Sequence, residues 1–531
     1  MSAPSSGTGG RLTFGTAGRL TFGTAGIRGP LGPGPGHMNR EVVRATVTGV
    51  VAQLRAEHGA DAALVVVVGR DARHGSSDLA DEAVATLLDH DVRVARFGDV
   101  VPTPLVAHAV RRLDAAAGLM ITASHNPASD NGMKVYWSDG AQIVAPLDAA
   151  IEARIRAGEI PPSSARSGTP GEAPPAAIDL GTVPLGGPTI DAYVREVVGA
   201  RRPAGTDAPR SERDGLATVY TALHGVGADL FERVARDAGI VTRAVRAQRA
   251  PAPAFPTVPS PNPEAPGVLD ALFAEAERHH AALALALDPD ADRLAVGVPT
   301  DRGWRQLTGD ETGALLAHHL LRVTDGLPDR FVASTVVSSR LVARMCAASD
   351  VRHVETLTGF KWLSRPGLAH PAWHQVLLYE EALGYAVGPQ DRDKDGIAAA
   401  CCVIDAVTAL RDRGLTVDAL LDDLALRHGA FVTRNGSVRL DAGAAPAPTA
   451  VPASLGGVAV VHDDRPAPDV HRWLLADDTR VIVRPSGTEP KLKYYCEAVV
   501  PVDDGDVTAA RSLAERRLDA VLDDLGPVLA R

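Results

Sequence analysis

Leu283-Ala284-Leu285-Ala286-Leu287-Asp288-Pro289-Asp290-Ala291-Asp292-Arg293 is an unbroken apolar run that stops abruptly in an acidic turn. A short apolar run closed by polar residues and proline predicts a buried strand followed by a loop. The same arrangement recurs along the chain. Residues 64–68 end in Gly69, residues 376–379 end in Glu380, and 331–337 form another such run. Amphipathic segments, predicted as helices at 78–89, 264–278 and 311–323, lie between or after them. Strand then helix, repeated, argues for α/β domains with largely parallel or mixed sheets. In open α/β sheets ligands bind at the carboxyl ends of strands, so the polar motifs after these runs are placed to converge.

At 531 residues the chain is too long for one core and implies three or four domains. Three Pro/Ala/Gly-rich stretches, 159–177, 201–215 and 441–454, read as loops or linkers. Boundaries are expected near 206, 300–307 and 425–432. They give a tail at 1–26, then domains at 27–205, 206–303, 304–427 and 428–531. The last of these carries short strands and a helical end at 507–524. The tail repeats RLTFGTAG at 11–18 and 19–26, and only the second copy runs on into Ile27, Arg28 and Gly29.

A net charge of −11 disfavours nucleic acid or an anionic membrane as the main partner. The four cysteines, Cys346, Cys401, Cys402 and Cys496, form no CxxC pair, which argues against a metal cluster or a disulfide framework and fits a reducing cytoplasm. The N-terminal residues show no apolar signal-peptide core, and no stretch is long and apolar enough to span a bilayer. Of 54 basic residues only five are lysine: Lys134, Lys361, Lys394, Lys491 and Lys493. A chain so biased toward arginine is expected to keep lysine where a compact point charge is needed.

Four loops carry the chemistry. The first is Gly118-Leu-Met-Ile-Thr-Ala-Ser124-His125-Asn126-Pro127, followed by Asn131-Gly132-Met133-Lys134. Pro127 restricts Asn126 to an extended conformation, so the turn should hold Ser124 out of the sheet. No GxSxG elbow is present, and neighbours on an extended chain point opposite ways, which disfavours a Ser-His acyl-transfer pair. Phosphoryl transfer through a phosphoserine is the better reading. In the second loop, Asp288, Asp290 and Asp292 repel one another and call for a cation; hard oxygen ligands suit Mg²⁺ or Ca²⁺. An EF-hand is rejected, because its sixth and twelfth positions are Arg293 and Pro299 here. Arg293 is placed to steady a phosphate near the metal. The third loop, Tyr379-Glu380-Glu381-Ala-Leu-Gly384, ends a strand in carboxylates able to accept sugar hydroxyls. The fourth, Arg484-Pro-Ser486-Gly487-Thr488-Glu489-Pro490-Lys491, combines a guanidinium, hydroxyls and glycine backbone into an anion nest. No GxxxxGK[ST] and no GxGxxG between strand and helix is present, so P-loop and dinucleotide binding lose support.

FGTAGIRG at 22–29, TASHNP at 122–127, DPDADR at 288–293, TGFKW at 358–362, EEALGY at 380–385 and RPSGTEPK at 484–491 stand in one order. Together they closely resemble the α-D-phosphohexomutase superfamily, which includes phosphoglucomutase and phosphomannomutase. Several look most like its phosphopentomutase branch. The resemblance implies four domains around a central cleft: three related mixed α/β units and a smaller, mobile C-terminal α+β domain. It implies that Ser124 is the phosphoserine and that Asp288, Asp290 and Asp292 hold Mg²⁺ with a phosphoserine oxygen. It makes His125 and Lys134 acid/base candidates, with Arg28 near the phosphoserine. Arg484, Ser486, Gly487 and Thr488 grip the non-reacting phosphate, and Glu380 contacts sugar hydroxyls. Thr358, Gly359 and Lys394 line the same cleft.

The implied reaction interconverts hexose 1-phosphate and hexose 6-phosphate through a bisphosphorylated sugar, with a glucose 1,6-bisphosphate type activator; the pentose reaction is the alternative. A sugar phosphatase and a silent sugar-phosphate sensor are the other classes. The intact serine and aspartates argue against silence. The expected partner is a small sugar phosphate, bound by a cytoplasmic monomer or small homo-oligomer. One departure stands out. Many phosphoglucomutases carry Ser two residues after the sugar-binding Glu, and here that residue is Ala382.

Overall fold

Four β-sheets follow one another along the chain in the computed structural model, which describes residues 20–23, 26–158, 177–200, 216–389, 391–439, 451–485 and 491–529. The predicted linker 201–215 lies outside the described residues, as do most of 159–177 and 441–454 and most of the duplicated tail.

The first sheet contains β1 (Ile27–Pro30), β2 (Val65–Arg70), β3 (Arg93–Arg96), β4 (Ala117–Ile121), β5 (Asp130–Trp137) and β6 (Ile178–Asp179), in the order β1-β5-β4-β2-β3-β6. The second contains β7 (Thr218–Thr221), β8 (Thr242–Ala244), β9 (Leu283–Leu287), β10 (Leu294–Thr300) and β11 (Gly303–Gln306), ordered β11-β10-β9-β7-β8. The third contains β12 (Arg330–Thr335), β13 (Arg352–Thr356), β14 (His374–Glu380) and β15 (Gly384–Ala386), ordered β13-β12-β14-β15. All three are mixed, as expected. In each, parallel strands give way to an antiparallel hairpin: β4 to β5, β9 to β10, and β14 to β15. The serine, aspartate and glutamate motifs occupy the bends of these three hairpins. This shared device explains the recurrence of apolar run and polar loop in the sequence.

The fourth sheet is antiparallel throughout and contains β16 (Ala430–Arg439), β17 (Ser454–Leu455), β18 (Val458–Ala467), β19 (Val470–Leu475), β20 (Arg480–Pro485) and β21 (Lys491–Val500). The closing helix Val507–Leu529 packs on it and runs five residues beyond the predicted 507–524.

One prediction needs correction. The helix expected over 264–278 begins only at Asp270. Pro266 cannot donate to a helical ladder and Gly267 sits at φ +77, so residues 264–269 form a turn instead. By contrast Thr308 and Glu311 form a capping box that starts the helix Gly309–Val323.

The first three sheets share a continuous apolar core, in which Leu105, Ile190, Leu230, Leu272, Leu316 and Ile397 all take part. Each such side chain contributes about 1.5–3 kcal/mol on burial, which binds these units into one body. The fourth sheet has its own core around Trp473, Val481 and Leu518. Among the described residues a small apolar patch joins it to the third, Val336 and Val337 against Val470, Ile482 and Tyr495, and Ala425 of the third unit reaches into its core. Polar contacts complete that junction. Arg340 reaches Glu497 at 2.5 Å and Asp478 at 2.7 Å, and Arg480 donates to the carbonyls of Val336 and Ser338.

Candidate active site

β4 is buried along its whole length and delivers the chain to Thr122, whose Oγ1 accepts the Ser124 N–H at 2.9 Å. Ser124 then adopts φ +53, in the left-handed region that non-glycine residues seldom occupy. The Ser124–His125 step is therefore not the extended one on which the two side chains would point opposite ways. The bend places Ser124 Oγ 2.7 Å from Asp288 Oδ2 and 3.3 Å from His125 Nδ1, so serine and histidine are side-by-side neighbours. Burial, with Arg293 and Arg28 adding, holds the His125 imidazole well below its usual pKa and therefore neutral.

A residue that sequence reasoning passed over holds this bend. The buried Arg73 guanidinium donates to four carbonyls: Ser124 at 2.5 Å, Asn126 at 2.6 Å, Pro127 at 2.7 Å and Asp130 at 3.1 Å. Its own partner is Asp71, at 3.4 Å. A signal was present, because Gly69-Arg-Asp-Ala-Arg73 follows a buried strand as the other motifs do. Arg28, on β1, adds donations to the Ala123 carbonyl and Asn126 Oδ1.

Strand alternation then sorts β5. Met133 and Val135 enter the apolar core on one face, while Lys134 and Tyr136 point the other way, toward the second and third units. Lys134 Nζ donates to Asp290 Oδ2 at 2.6 Å and also to Asp292 Oδ2. Lys394 Nζ approaches Asp292 at 2.9 Å from the third unit. Asp393, beside it, accepts from Tyr136 Oη at 2.8 Å and Gln142 Nε2 at 2.6 Å, which pins that loop to the first unit.

The three aspartates are fully buried, and one oxygen from each lies within 4.8 Å of the others. Asp290 Oδ1 and Asp292 Oδ1 have no hydrogen-bond partner. Burial and the two neighbouring carboxylates hold Asp288 well above its usual pKa. Burial acts on Asp290 the same way, yet Lys134 outweighs it, with Thr103 and Arg28 helping, and holds its carboxylate below the usual range. Thr103, whose hydroxyl donates 2.5 Å to Asp290, had no sequence signal. Three buried acids with two orphaned oxygens suit a small hard cation, so the site fits a divalent metal.

The aspartate loop is gripped from both sides. A Cβ on Gly225 would lie 2.3 Å from Pro289, and one on Gly396 would lie 2.5 Å from the Arg293 carbonyl. Within the loop Ala291 is left-handed at φ +57, and Leu383 at φ +65 does the same in the glutamate hairpin. Each of the three hairpin bends thus contains one strained non-glycine residue. The second and third bends also touch, through a bridge between Arg293 and Gly384 and a 3.1 Å bond from Arg293 Nη1 to the Ala382 carbonyl.

Glu380 closes β14 in a buried position. Burial pushes its carboxyl up to about 7, against Lys394 and Arg293. Glu381 is spent internally on the hydroxyls of Thr335 and Ser338. Lys361 ties the TGFKW segment to the first unit through the Gly23 carbonyl and Asp148. Thr358 Oγ1 is buried without a partner and Gly359 sits at φ +111. Arg484 donates to Tyr495 Oη at 3.1 Å and leaves Nε unpartnered. Ser486, Gly487 and Thr488 lie outside the described residues. Ser124, His125, Lys134, Arg28, the aspartates, Arg293, Glu380 and Lys394 are therefore drawn into one linked cluster. Among the described residues no helix is long and apolar enough to cross a membrane.

Residues 19–160, 191–302 and 308–427 match, in turn, the alpha/beta/alpha domains I, II and III of the phosphoglucomutase/phosphomannomutase family. Residues 452–511 match its C-terminal domain. A Haemophilus influenzae protein named "Probable phosphomannomutase" is 34% identical over 483 residues, covering 87% of this chain and 93% of its own. The phosphopentomutase of Homo sapiens is 32% identical over 530 residues, covering 91% and 85%. Among solved structures, a phosphoglucomutase/phosphomannomutase family protein from Burkholderia thailandensis has the same fold, with a TM-score of 0.68 at 20% identity over 94% of this chain and 97% of that one.

Proposed function

Because the chain belongs to the phosphoglucomutase/phosphomannomutase family of phosphomutases, we propose that it isomerises a sugar phosphate through a phosphorylated Ser124. The observation that carries this reading is the Ser124 hydroxyl, buried on a strained bend and hydrogen-bonded at 2.7 Å to Asp288 of the acidic trio.

In the first half-reaction the Ser124 Oγ–P bond breaks and a bond forms from phosphorus to a sugar hydroxyl oxygen. The hydroxyl proton passes to a base, for which neutral His125 is placed beside Oγ, with Lys134 and Arg28 close by. Asp288, Asp290 and Asp292, with an oxygen of phosphorylated Ser124, would hold Mg²⁺, which when bound neutralises phosphoryl charge. The bisphosphorylated sugar turns over in the cleft, and Ser124 takes back the other phosphoryl group. A glucose 1,6-bisphosphate type compound primes the serine. Arg484 and the Ser486–Thr488 segment hold the non-reacting phosphate, and Glu380 accepts sugar hydroxyls. Thr358, Gly359 and Lys394 line the cleft. Closure of the last unit over the cleft would exclude water from the phosphoserine. Four buried free cysteines support a reducing cytoplasmic setting.

The sugar is a hexose in the first reading and a pentose in the second. Ala382 favours the pentose, because it lacks the hydroxyl expected of a glucose reader, and the phosphopentomutase similarity agrees. The test is isomerisation of ribose 1-phosphate, glucose 1-phosphate and mannose 1-phosphate with Mg²⁺ and the matching bisphosphate, alongside mass analysis of Ser124. Turnover lost in Ser124→Ala, with phosphate on Ser124 in the wild type, supports the mutase. Net phosphate release would point to a phosphatase, and binding without turnover to a sensor.

A further inference from the structure

Glu264 belongs to none of the motifs above. It stands on the turn Pro261-Asn262-Pro263-Glu264-Ala265-Pro266-Gly267, which replaces the expected start of the helix. Pro261, Pro263 and Pro266 each fix φ and restrict the residue before them. Asn262 Oδ1 accepts the Glu264 N–H at 3.1 Å, and the Asn262 carbonyl accepts that of Ala265 at 3.0 Å. Gln306 Nε2 donates to the Pro263 carbonyl at 3.2 Å. The backbone carrying Glu264 is therefore stiff, although its side chain is 39% exposed.

That side chain lies beside Arg293, at the end of the aspartate loop. Its carboxylate lies 3.7 Å from Arg293 Nη1, and its other charged neighbours are Glu381 and Lys493. The same Arg293 nitrogen donates to the Ala382 carbonyl, and Arg293 Nε is buried without a partner. Arg293 therefore stands between the acid on the wall of the second unit and residue 382 on the wall of the third. A separation of 3.7 Å is too long for a hydrogen bond, so the Glu264 oxygens keep their lone pairs. An acceptor held on a rigid turn loses little freedom when a ligand arrives. A carboxylate offers two oxygens, matching two adjacent hydroxyls, while the unpartnered guanidinium N–H suits a phosphate oxygen.

We propose that Glu264 is a second sugar-hydroxyl acceptor on the wall opposite Glu380, reading a vicinal diol of the sugar phosphate where Ala382 has no hydroxyl to offer. This rests on the mutase reading, and it deepens that reading by naming the substrate feature recognised. Glu264 supplies acceptors from the second unit, so discrimination among sugars depends on both walls of the cleft.

The experiment is calorimetric binding of ribose 5-phosphate and its 2-deoxy and 3-deoxy analogues to Ser124→Ala, with Glu264 intact or changed to Gln or Ala. Binding needs no turnover, so the result stands apart from the chemistry. Whether wild-type Ser124 is phosphorylated by the bisphosphate tests the mutase reading separately. With Glu264 intact, ribose 5-phosphate should bind roughly tenfold or more tighter than at least one deoxy analogue, the worth of a hydrogen bond to a charged group. Glu264→Ala should bring that ratio close to one, and Glu264→Gln should leave it partway. An unchanged ratio in both variants, or no discrimination with Glu264 intact, overturns the proposal. Arg293 pairing alone would weaken all three sugars equally, and that outcome overturns it too.

Discussion

Lys134 on β5 of the first unit donates at 2.6 Å to Asp290 in the bend of the second, and neither side chain is exposed to solvent. A buried ion pair broken on one side leaves an uncompensated charge, which costs about 3–5 kcal/mol. Lys134→Met should therefore melt at a clearly lower temperature than wild type in EDTA. Added Mg²⁺ should recover more of the melting temperature in the variant than it adds to wild type, because the cation replaces the lost ammonium. Scanning fluorimetry with and without metal checks this; equal metal effects on both proteins would show that Lys134 does not neutralise the metal ligands.

Metal affinity should depend on pH through Asp288. Burial and the adjacent carboxylates favour its protonated form, and a cation must displace that proton. Affinity for Mg²⁺ should rise with pH while Asp288 is protonated in the metal-free protein, by at most about tenfold per pH unit for one proton released. Titration calorimetry in two buffers of different ionisation enthalpy measures the proton directly. Asp290→Ala should abolish most metal-dependent activity.

Arg73 offers a test of positioning without contact to the substrate. A lysine in its place cannot reach four carbonyls at once, so the Ser124 bend should loosen. Misplacement of a reacting group by about 1 Å can cost on the order of a hundredfold in rate. Arg73→Lys should lose that order of kcat while the KM for sugar phosphate changes little. Steady-state kinetics separates the two parameters.

Asp310 connects the third and fourth units. It accepts the Ser339 N–H at 2.7 Å and faces Thr433 at 3.3 Å. Burial pushes its carboxyl up to about 7, with Glu381 and Glu497 adding and the Ser339 bond opposing. The folded value lies above the unfolded one, so the native state holds a proton that the unfolded chain has released. Stability from this group is complete below about pH 4, falls as pH rises, and is lost above about pH 7. Asp310→Asn should be the more stable protein at pH 8, by roughly 2–3 kcal/mol more than at pH 5. Denaturant titrations at the two pH values check it.

Much of this site was legible because each motif follows an apolar run. Leu283–Leu287 and its acidic turn were readable from residue pattern alone, and the mixed α/β class followed from repetition. What the pattern hid was conformation and partnership. Pro127 restricts only Asn126, so the left-handed Ser124 and the Arg73 guanidinium that clasps its bend had no local signature. Glu381 looked equivalent to Glu380 until Thr335 and Ser338, far off in sequence, were seen to occupy it. Lys361 sat inside a motif yet serves as a tether between units, a role only tertiary placement reveals. The lost helical turn at 264–269 was the one local signal misread, since Pro266 and Gly267 stand in plain view.

The tightest spaces around the aspartate loop belong to Gly225 and Gly396, which contribute no functional group. A single added methyl at either position meets backbone within 2.5 Å. A saturation library scored for activity would therefore show these two silent positions as intolerant as the three acids. The two kinds of loss differ in remedy: excess cation can partly restore a weakened ligand set, but nothing in solution makes room for a carbon atom. Anyone retargeting this enzyme to a new sugar should leave that loop alone and diversify the walls facing it.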